Sequence, residues 1–418
     1  MKEFSQHNKK YEISHIILND LVLSFNIDWR IKRTMNNQRW LSQNFFIFFF
    51  TWGVFLQYWS GWLTGAKGLS VHEVGFIMGF GLVARAVSTM FIFPNMSKYL
   101  SDKRLTKVLV ISSLIVAILY IPFNSFEALF IITMLFCLFY PSLLAAIESS
   151  ASTLVQQTHI HYGKSRSYGS ISFVISVFIL SIIIGYAGEK AILWCMIGYL
   201  TIMLILQLMP APEVLSIRPT AEDRSQSFSM RSLWKIKGFS VVMVIVILLQ
   251  GAHASYYNYS YIYLQQFLQV NTFYIGIILN VAVLFEILFF LKVDHLFSKW
   301  KTSTLLLVAA IGSTLRWILI FIFPNVWVFV LSQSLHALGF AMAHYAFVQY
   351  ITHHLPKQQL SNAQGMYNAL AMSLSAAVLT LFGGYLYDIS PSLAFLGMIV
   401  FTIPAIIIII FSKKMYQY

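Results

Sequence analysis

The chain reads as an all-α membrane protein, with twelve transmembrane helices arranged as two six-helix repeats. Three observations predict this: a shortage of charge, apolar blocks of membrane-spanning length, and a weak echo between the two halves. Only 10% of the 418 residues are charged, 58% are hydrophobic and the mean hydropathy is +0.72. A soluble domain carries roughly a quarter charged residues, so much of this surface faces something other than water. No Asp, Glu, Lys or Arg occurs between Arg39 and Lys67, between Lys357 and Asp388, or between Asp388 and Lys413. Each block exceeds the roughly 20 residues that cross a hydrocarbon core as a helix. The alternating short segments of a membrane β-barrel are absent from the sequence.

Apolar runs and their breakers predict helices over 41–63, 71–93, 105–123, 126–150, 167–187 and 190–209. A polar segment at 210–238 follows, with Pro210, Pro212 and Pro219. The second set covers 239–266, 273–293, 303–323, 326–351, 361–386 and 392–412. This divides the chain into a first bundle at 35–209, a linker at 210–238 and a second bundle at 239–418. Residues 1–34 form no signal peptide, because Asn19, Asp20 and Asn26 interrupt the apolar stretch. They read as an extra segment ahead of a start at Met35, or as a surface helix.

All but four of the 28 Lys and Arg residues fall in the termini and in the connections on the same side as the termini. The exceptions are Lys67 and Lys190 on the opposite side, and Arg85 and Arg316 within spans. The positive-inside rule therefore puts both termini and the linker in the cytoplasm, as in a multi-pass protein of a bacterial inner membrane. The formal charge of +13 reports topology, and no nucleic-acid partner is expected. Both cysteines, Cys137 and Cys195, lie in apolar spans with no metal-ligand spacing.

The halves echo each other twice. Gly75 precedes Arg85 as Gly276 precedes Glu286, and Ser165–Gly169 matches Ser361–Gly365 at nearly the same separation. In duplicated carriers the substrate site lies near the midplane between the halves, and one half rocks against the other.

Charges in spans cost at least about 2.5–3.5 kcal/mol, so Arg85, Glu286 and Arg316 should face the interior and have partners. Loss of water favours a protonated carboxyl, and a nearby guanidinium favours the charged form. That opposition suits Glu286 as a proton carrier, with Arg316 and His336 beside it; a purely structural Glu286–Arg316 ion pair is the alternative. Arg85, His253, Tyr257, Arg316 and Tyr58 are the candidate substrate contacts, with Gln250, Glu148 and His344 ranked behind them. His336 shares a face with Ser332, Gly339 and Ala343, which also suits close packing. Aromatic residues concentrate on helix one (Trp52, Tyr58, Trp59, Trp62) and helix seven (Tyr256, Tyr257, Tyr259, Tyr261, Tyr263). Their outer ends are expected to face each other across a cavity mouth, or to sit in an interface belt. No GxSxG, HExxH or Walker loop is present, so neither catalysis nor ATP hydrolysis is expected. A polytopic membrane enzyme remains the alternative of another class.

The segments Leu248–Tyr263 (LLQGAHASYYNYSYIY), Tyr162–Ser170 (YGKSRSYGS) and Gly81–Arg85 (GLVAR), with Arg316-Trp317, resemble the phenylpropionic acid transporter branch of the major facilitator superfamily. This branch is similar to the lactose-permease and nucleoside–proton symporter groups. The resemblance implies a monomeric secondary transporter that takes up 3-phenylpropionate or a related aromatic acid together with protons. It implies the proton gradient as energy source and no cofactor. By similarity to lactose permease, the coupling network would fall on Glu286, Arg316 and His336. A nucleoside or sugar cargo is the alternative within the class. The segment FPNMSKYLSDKRLTK (Phe93–Lys107) keeps an acidic-basic cluster but lacks the glycines usual there.

Overall fold

A computed structural model of the protein describes residues 37–158, 160–217, 233–236 and 238–416. The segment 1–34, and most of the charged part of the linker, lie outside the described residues. Among the described residues the long elements are all helical. In chain order they are α1 (37–65), α2 (Val71–Ser97), α3 (Asp102–Leu119), α4 (Phe126–Thr158), α5 (Tyr162–Ala187) and α6 (Lys190–Leu208). Then come α7 (Phe239–Phe267), α8 (Thr272–Phe297), α9 (Thr302–Ile322), α10 (Val326–His354), α11 (Asn362–Ile389) and α12 (Leu393–Tyr416). Ten of these are long and apolar enough to cross a membrane. α1 and α3 are not among the ten. α1 dilutes its phenylalanines with Asn, Gln, Tyr and Trp, and α3 opens on Asp102, Lys103, Arg104 and Lys107.

Local chemistry sets the ends. Ser70 and Glu73 form a reciprocal capping box at the start of α2. The side chains of Ser125, Asn271 and Asn325 each accept one backbone N–H at the starts of α4, α8 and α10. Gly188 ends α5 with φ at 72°, a conformation that suits glycine. At the α1–α2 turn Lys67 Nζ donates to the carbonyls of Tyr120 and Phe123 and to Asn124 Oδ1, at 2.9, 2.6 and 2.8 Å. It thereby satisfies carbonyls just past the end of α3 and ties two connections together.

The two halves meet mainly through α2 against α11 and α5 against α8. The apolar core reveals where they meet. One buried cluster runs through α1–α6 and continues into Ala252–Ala282, Trp317–Phe329 and Leu379–Met398. A second cluster, around Val242, Leu306, Phe347 and Ile409, belongs to the second half alone. The halves are therefore fused at the end away from residues 37 and 416, and keep separate cores at the end near them. Glycines allow the fusion. A Cβ on Gly75 would meet Gly384 Cα at 3.2 Å, and one on Gly276 would meet the Val177 carbonyl at 2.7 Å.

Most of the aromatic concentrations of α1 and α7 turn inward at the fused end, away from a cavity mouth or an interface belt. Tyr58, Trp59, Trp62, Tyr259, Tyr261 and Tyr263 are wholly buried, or nearly so. Tyr58 meets Tyr261 edge to face at 5.2 Å, and the Tyr261 ring fills the space that Gly61 leaves open. They plug the fused end, because large flat rings exclude water where the halves close.

Candidate functional site

α7 breaks at Ala252-His253, and His253 takes φ −92°, ψ 2°, between two helical stretches. α10 breaks at Gln333 and continues as a π-helical turn over Ala337–Ala341. A π turn frees carbonyls and redirects side chains, and often marks a functional site. Here Gln250 Nε2 donates to the Phe340 carbonyl at 3.2 Å. Gly339 lets α10 approach closely, with Ser313 of α9 and His253 Nε2 (3.1 Å) filling the space of its missing side chain. Irregular backbone at this depth is tolerated because protein surrounds it.

Arg316, on α9, stands against both breaks and is completely buried. Its Nη1 lies 2.9 Å from His336 Nδ1, and its Nη2 donates to Gln333 Oε1 at 2.9 Å. The guanidinium lies 4.2 Å from the centre of the Tyr256 ring and 4.8 Å from that of Trp317. Its Nε is buried without a partner. No carboxylate lies within ion-pairing distance of Arg316 among the described residues. An arginine can only donate, so His336 Nδ1 accepts and the ring proton sits on Nε2. That Nε2 points to Glu286 Oε2 at 3.7 Å and to the Tyr257 hydroxyl at 3.5 Å.

The direct Glu286–Arg316 pair weighed from the sequence does not form. His336 stands between them, so the order is Arg316, His336, Glu286. Glu286 is half-buried and its side chain keeps 28% exposure, against 3% for His336. His253 Nδ1 donates to the Leu249 carbonyl at 3.0 Å, and its Nε2 is buried without a partner. Its ring packs on His336, Trp317 and Phe340. Thus Glu286, Arg316, His336, His253, Tyr257 and Gln250 come together in the second half.

The remaining candidates lie apart. Arg85, half-buried in α2, places its guanidinium 5.4 Å from the Trp52 ring centre and makes no ion pair among the described residues. Glu148 of α4 accepts from the Tyr162 hydroxyl at 2.9 Å and lies 3.6 Å from Arg166 Nε. The Arg166 guanidinium also rests 4.1 Å from the Phe49 ring centre. His344 is held by the Tyr367 hydroxyl at 3.1 Å. Tyr58 lies apart from this group: it is fully buried, and its hydroxyl donates to the Val177 carbonyl at 2.7 Å.

Sequence reasoning missed Gln333 and Arg166, and named Tyr256 only within the aromatic concentration of helix seven. Gln333 precedes His336 by one turn, and Tyr256 follows His253 by one turn. Helical spacing from the histidines was therefore the signal for both.

The chain is similar to known proteins along most of its length. The model of the MFS_1 like family matches residues 38–397. The Probable 3-phenylpropionic acid transporter of Escherichia coli (strain K12) is 29% identical over 357 residues, covering 85% of this chain and 92% of that protein. The Maltose permease of Geobacillus stearothermophilus is 25% identical over 356 residues, covering 82% and 86%. The crystal structure of the nucleoside transporter NupG superposes with a TM-score of 0.74 at 16% identity, over 92% of this chain and all of that one. The chain belongs to the MFS_1 like family, and it is a multi-pass membrane transporter of the major facilitator type.

Proposed function

We propose that the protein is a proton-coupled symporter that takes up a small organic anion, with 3-phenylpropionate or a related aromatic acid as its cargo. One observation carries this reading: a fully buried guanidinium, Arg316, with no carboxylate beside it among the described residues and one donor idle. A buried charge normally has an opposite partner, and a cargo carboxylate would supply it. The rings of Tyr256, Tyr257 and Phe340 around the site suit a flat apolar body. Arg85, with its guanidinium over Trp52, would meet the cargo from the first half.

Proton coupling follows from the order Arg316–His336–Glu286. With its cation on Nδ1, His336 is neutral and offers Nε2–H to Glu286. A cargo carboxylate that takes Arg316 offsets the guanidinium's charge, so the positive field that favours an ionised Glu286 weakens. Anion binding at one end of the chain thus raises proton affinity at the other. Glu286 carries the proton, while Arg316 and His336 transmit the cargo's presence. The driving force is the proton gradient, with no resident cofactor, and the chain acts as a monomer. Twelve spans, the bundles at 35–209 and 239–418 joined by the 210–238 linker, and cytoplasmic termini in a bacterial inner membrane complete the reading. The cleft between the separate cores would then open to the cytoplasm.

A second reading has a specific observation in its favour. The Glu148–Tyr162–Arg166 group offers donors and acceptors suited to hydroxyls, as a nucleoside or sugar would require. Calorimetric titration in detergent separates the two. 3-Phenylpropionate should bind the wild type and lose affinity in Arg316→Lys, and its uncharged alcohol should not bind. Binding of a nucleoside or sugar in place of the acid would refute the anion reading.

A further inference from the structure

At the fused end, hydrogen bonds cross the seam along the α5–α8 edge. Ser181 of α5 is wholly buried and donates its hydroxyl hydrogen to the Thr272 carbonyl of α8. The same oxygen lies 3.2 Å from the Phe273 carbonyl and accepts the Gly276 amide at 3.0 Å. Thr272 and Gly276 stand four residues apart, so a hydroxyl of the first half sits in the opening turn of a helix of the second. Glycine permits the approach: a Cβ on Gly276 would lie 2.5 Å from Ser181 Cβ. One turn deeper, Asn280 Nδ2 donates to the Val174 carbonyl of α5 at 3.0 Å, though its Oδ1 is buried without a partner. Near the surface Gln265, past the aromatic stretch of α7, donates to Glu189. The α2–α11 edge is built differently. The repeat that pairs Gly75 with Gly276 pairs Gly79 with Asn280, and Gly79 leaves its place to Leu381 and the Ala377 carbonyl. The polar contact there is His72 Nδ1 with Asp388 Oδ2 at 3.8 Å, both half-exposed. Among the described residues no hydrogen bond joins 71–81 to 377–388.

We propose that Ser181 is the pin that holds this end shut, a positioning residue for the conformational step of transport. Rocking one half against the other must draw its hydroxyl out of the first turn of α8. Glycine-packed helices can slide on each other without baring a polar group. A hydrogen bond, in contrast, is lost once its atoms part beyond about 3.5 Å, so the α5–α8 edge resists both sliding and parting. Release is still affordable to the fold. Thr272 and Gly276 can close their turn without the serine, and the freed hydroxyl can turn to a carbonyl of its own helix. The pin therefore holds by about one interhelical hydrogen bond, a factor of about 3 to 20 in a membrane protein. Asn280 is the weaker rung, because half of its amide goes unpaired while the end is closed. Ser181 belongs to neither the Arg316 nor the Glu286 group, so this role is independent of the cargo and of the proton carrier.

The test needs no cargo, so its outcome is separate from that of the anion reading. A cysteine at Ser260, buried in α7 at this end with its hydroxyl unpartnered, reports opening by its rate of labelling with a water-soluble maleimide in membranes. Cys137 and Cys195 are replaced by serine. Ser181→Ala should raise that rate by about 3- to 20-fold. Ser176→Ala is the control: it removes a buried hydroxyl from the same helix, but one that donates to the Phe50 carbonyl within the first half. It should leave the rate unchanged, which separates a pin across the seam from a general loss of packing. Unchanged labelling in Ser181→Ala, or an equal rise in Ser176→Ala, overturns the pin.

Discussion

Gly75 offers the sharpest perturbation of the seam between the halves. A Cβ there would meet Gly384 Cα at 3.2 Å and collide with the Tyr259 hydroxyl, which is fixed on the Thr380 carbonyl at 2.7 Å. Valine adds three heavy atoms where backbone faces backbone, so neither partner can rotate away. Overpacking of this kind costs about 1–3 kcal/mol. The cost applies only while the end is closed, because separation of α2 from α11 frees the space. Gly75→Val should therefore lower the closed-to-open ratio by about 5- to 150-fold, at 1.4 kcal/mol per tenfold. The assay is the accessibility of a cysteine at Ser260, buried in α7 with its hydroxyl unpartnered, to a water-soluble maleimide in membranes, with Cys137 and Cys195 replaced by serine. Labelling should be slow in the parent and rise by that factor with Gly75→Val. Unchanged labelling in a correctly folded variant would refute the claim that glycine contacts close this end.

Three further outcomes are expected. Arg316→Lys keeps the charge but cannot reach His336 and Gln333 together, so cargo affinity should fall by about 30-fold or more, read by titration calorimetry, as for a disrupted buried pair at about 2 kcal/mol or above. Lys67→Met removes three acceptor contacts at a partly exposed site; thermal unfolding in detergent should show about 1–2 kcal/mol less stability, with transport retained. Tyr58→Phe should cost about 1 kcal/mol of stability through its lost bond to Val177 and leave the cargo KM unchanged; a raised KM would return Tyr58 to the site.

Much of the fold was legible because span length and hydropathy are summed properties of many residues. The helix starts at Val71, Lys190, Phe239 and Val326 match the expected ones, since proline, glycine or caps mark them. The positions of Arg85, Glu286 and Arg316 were legible for a related reason: an ionisable group in an apolar run is conspicuous. What the run does not encode is rotation about the helix axis. α1 is aromatic on several faces, so Tyr58 read as a cavity residue although its face turns to α5 and α7. The breaks at His253 and Gln333 were also hidden, because Ala, Gln and Ser mark no break that a continuous helix would not tolerate. The π turn after His336 then decides which neighbours it meets, and puts the imidazole between Arg316 and Glu286. Arg166 was overlooked because its span begins earlier than hydropathy suggests, at Tyr162 rather than 167.

The most direct test of the central claim follows cargo and proton in the same proteoliposomes. Labelled 3-phenylpropionate is supplied outside, a pH-sensitive dye is trapped inside, and an inward proton gradient is imposed on wild type and Glu286→Gln. The wild type should accumulate the acid above its external level while the interior acidifies. Glu286→Gln should exchange cargo down its gradient without moving protons. Accumulation by Glu286→Gln, or wild-type uptake indifferent to the gradient, would contradict a proton carried by Glu286.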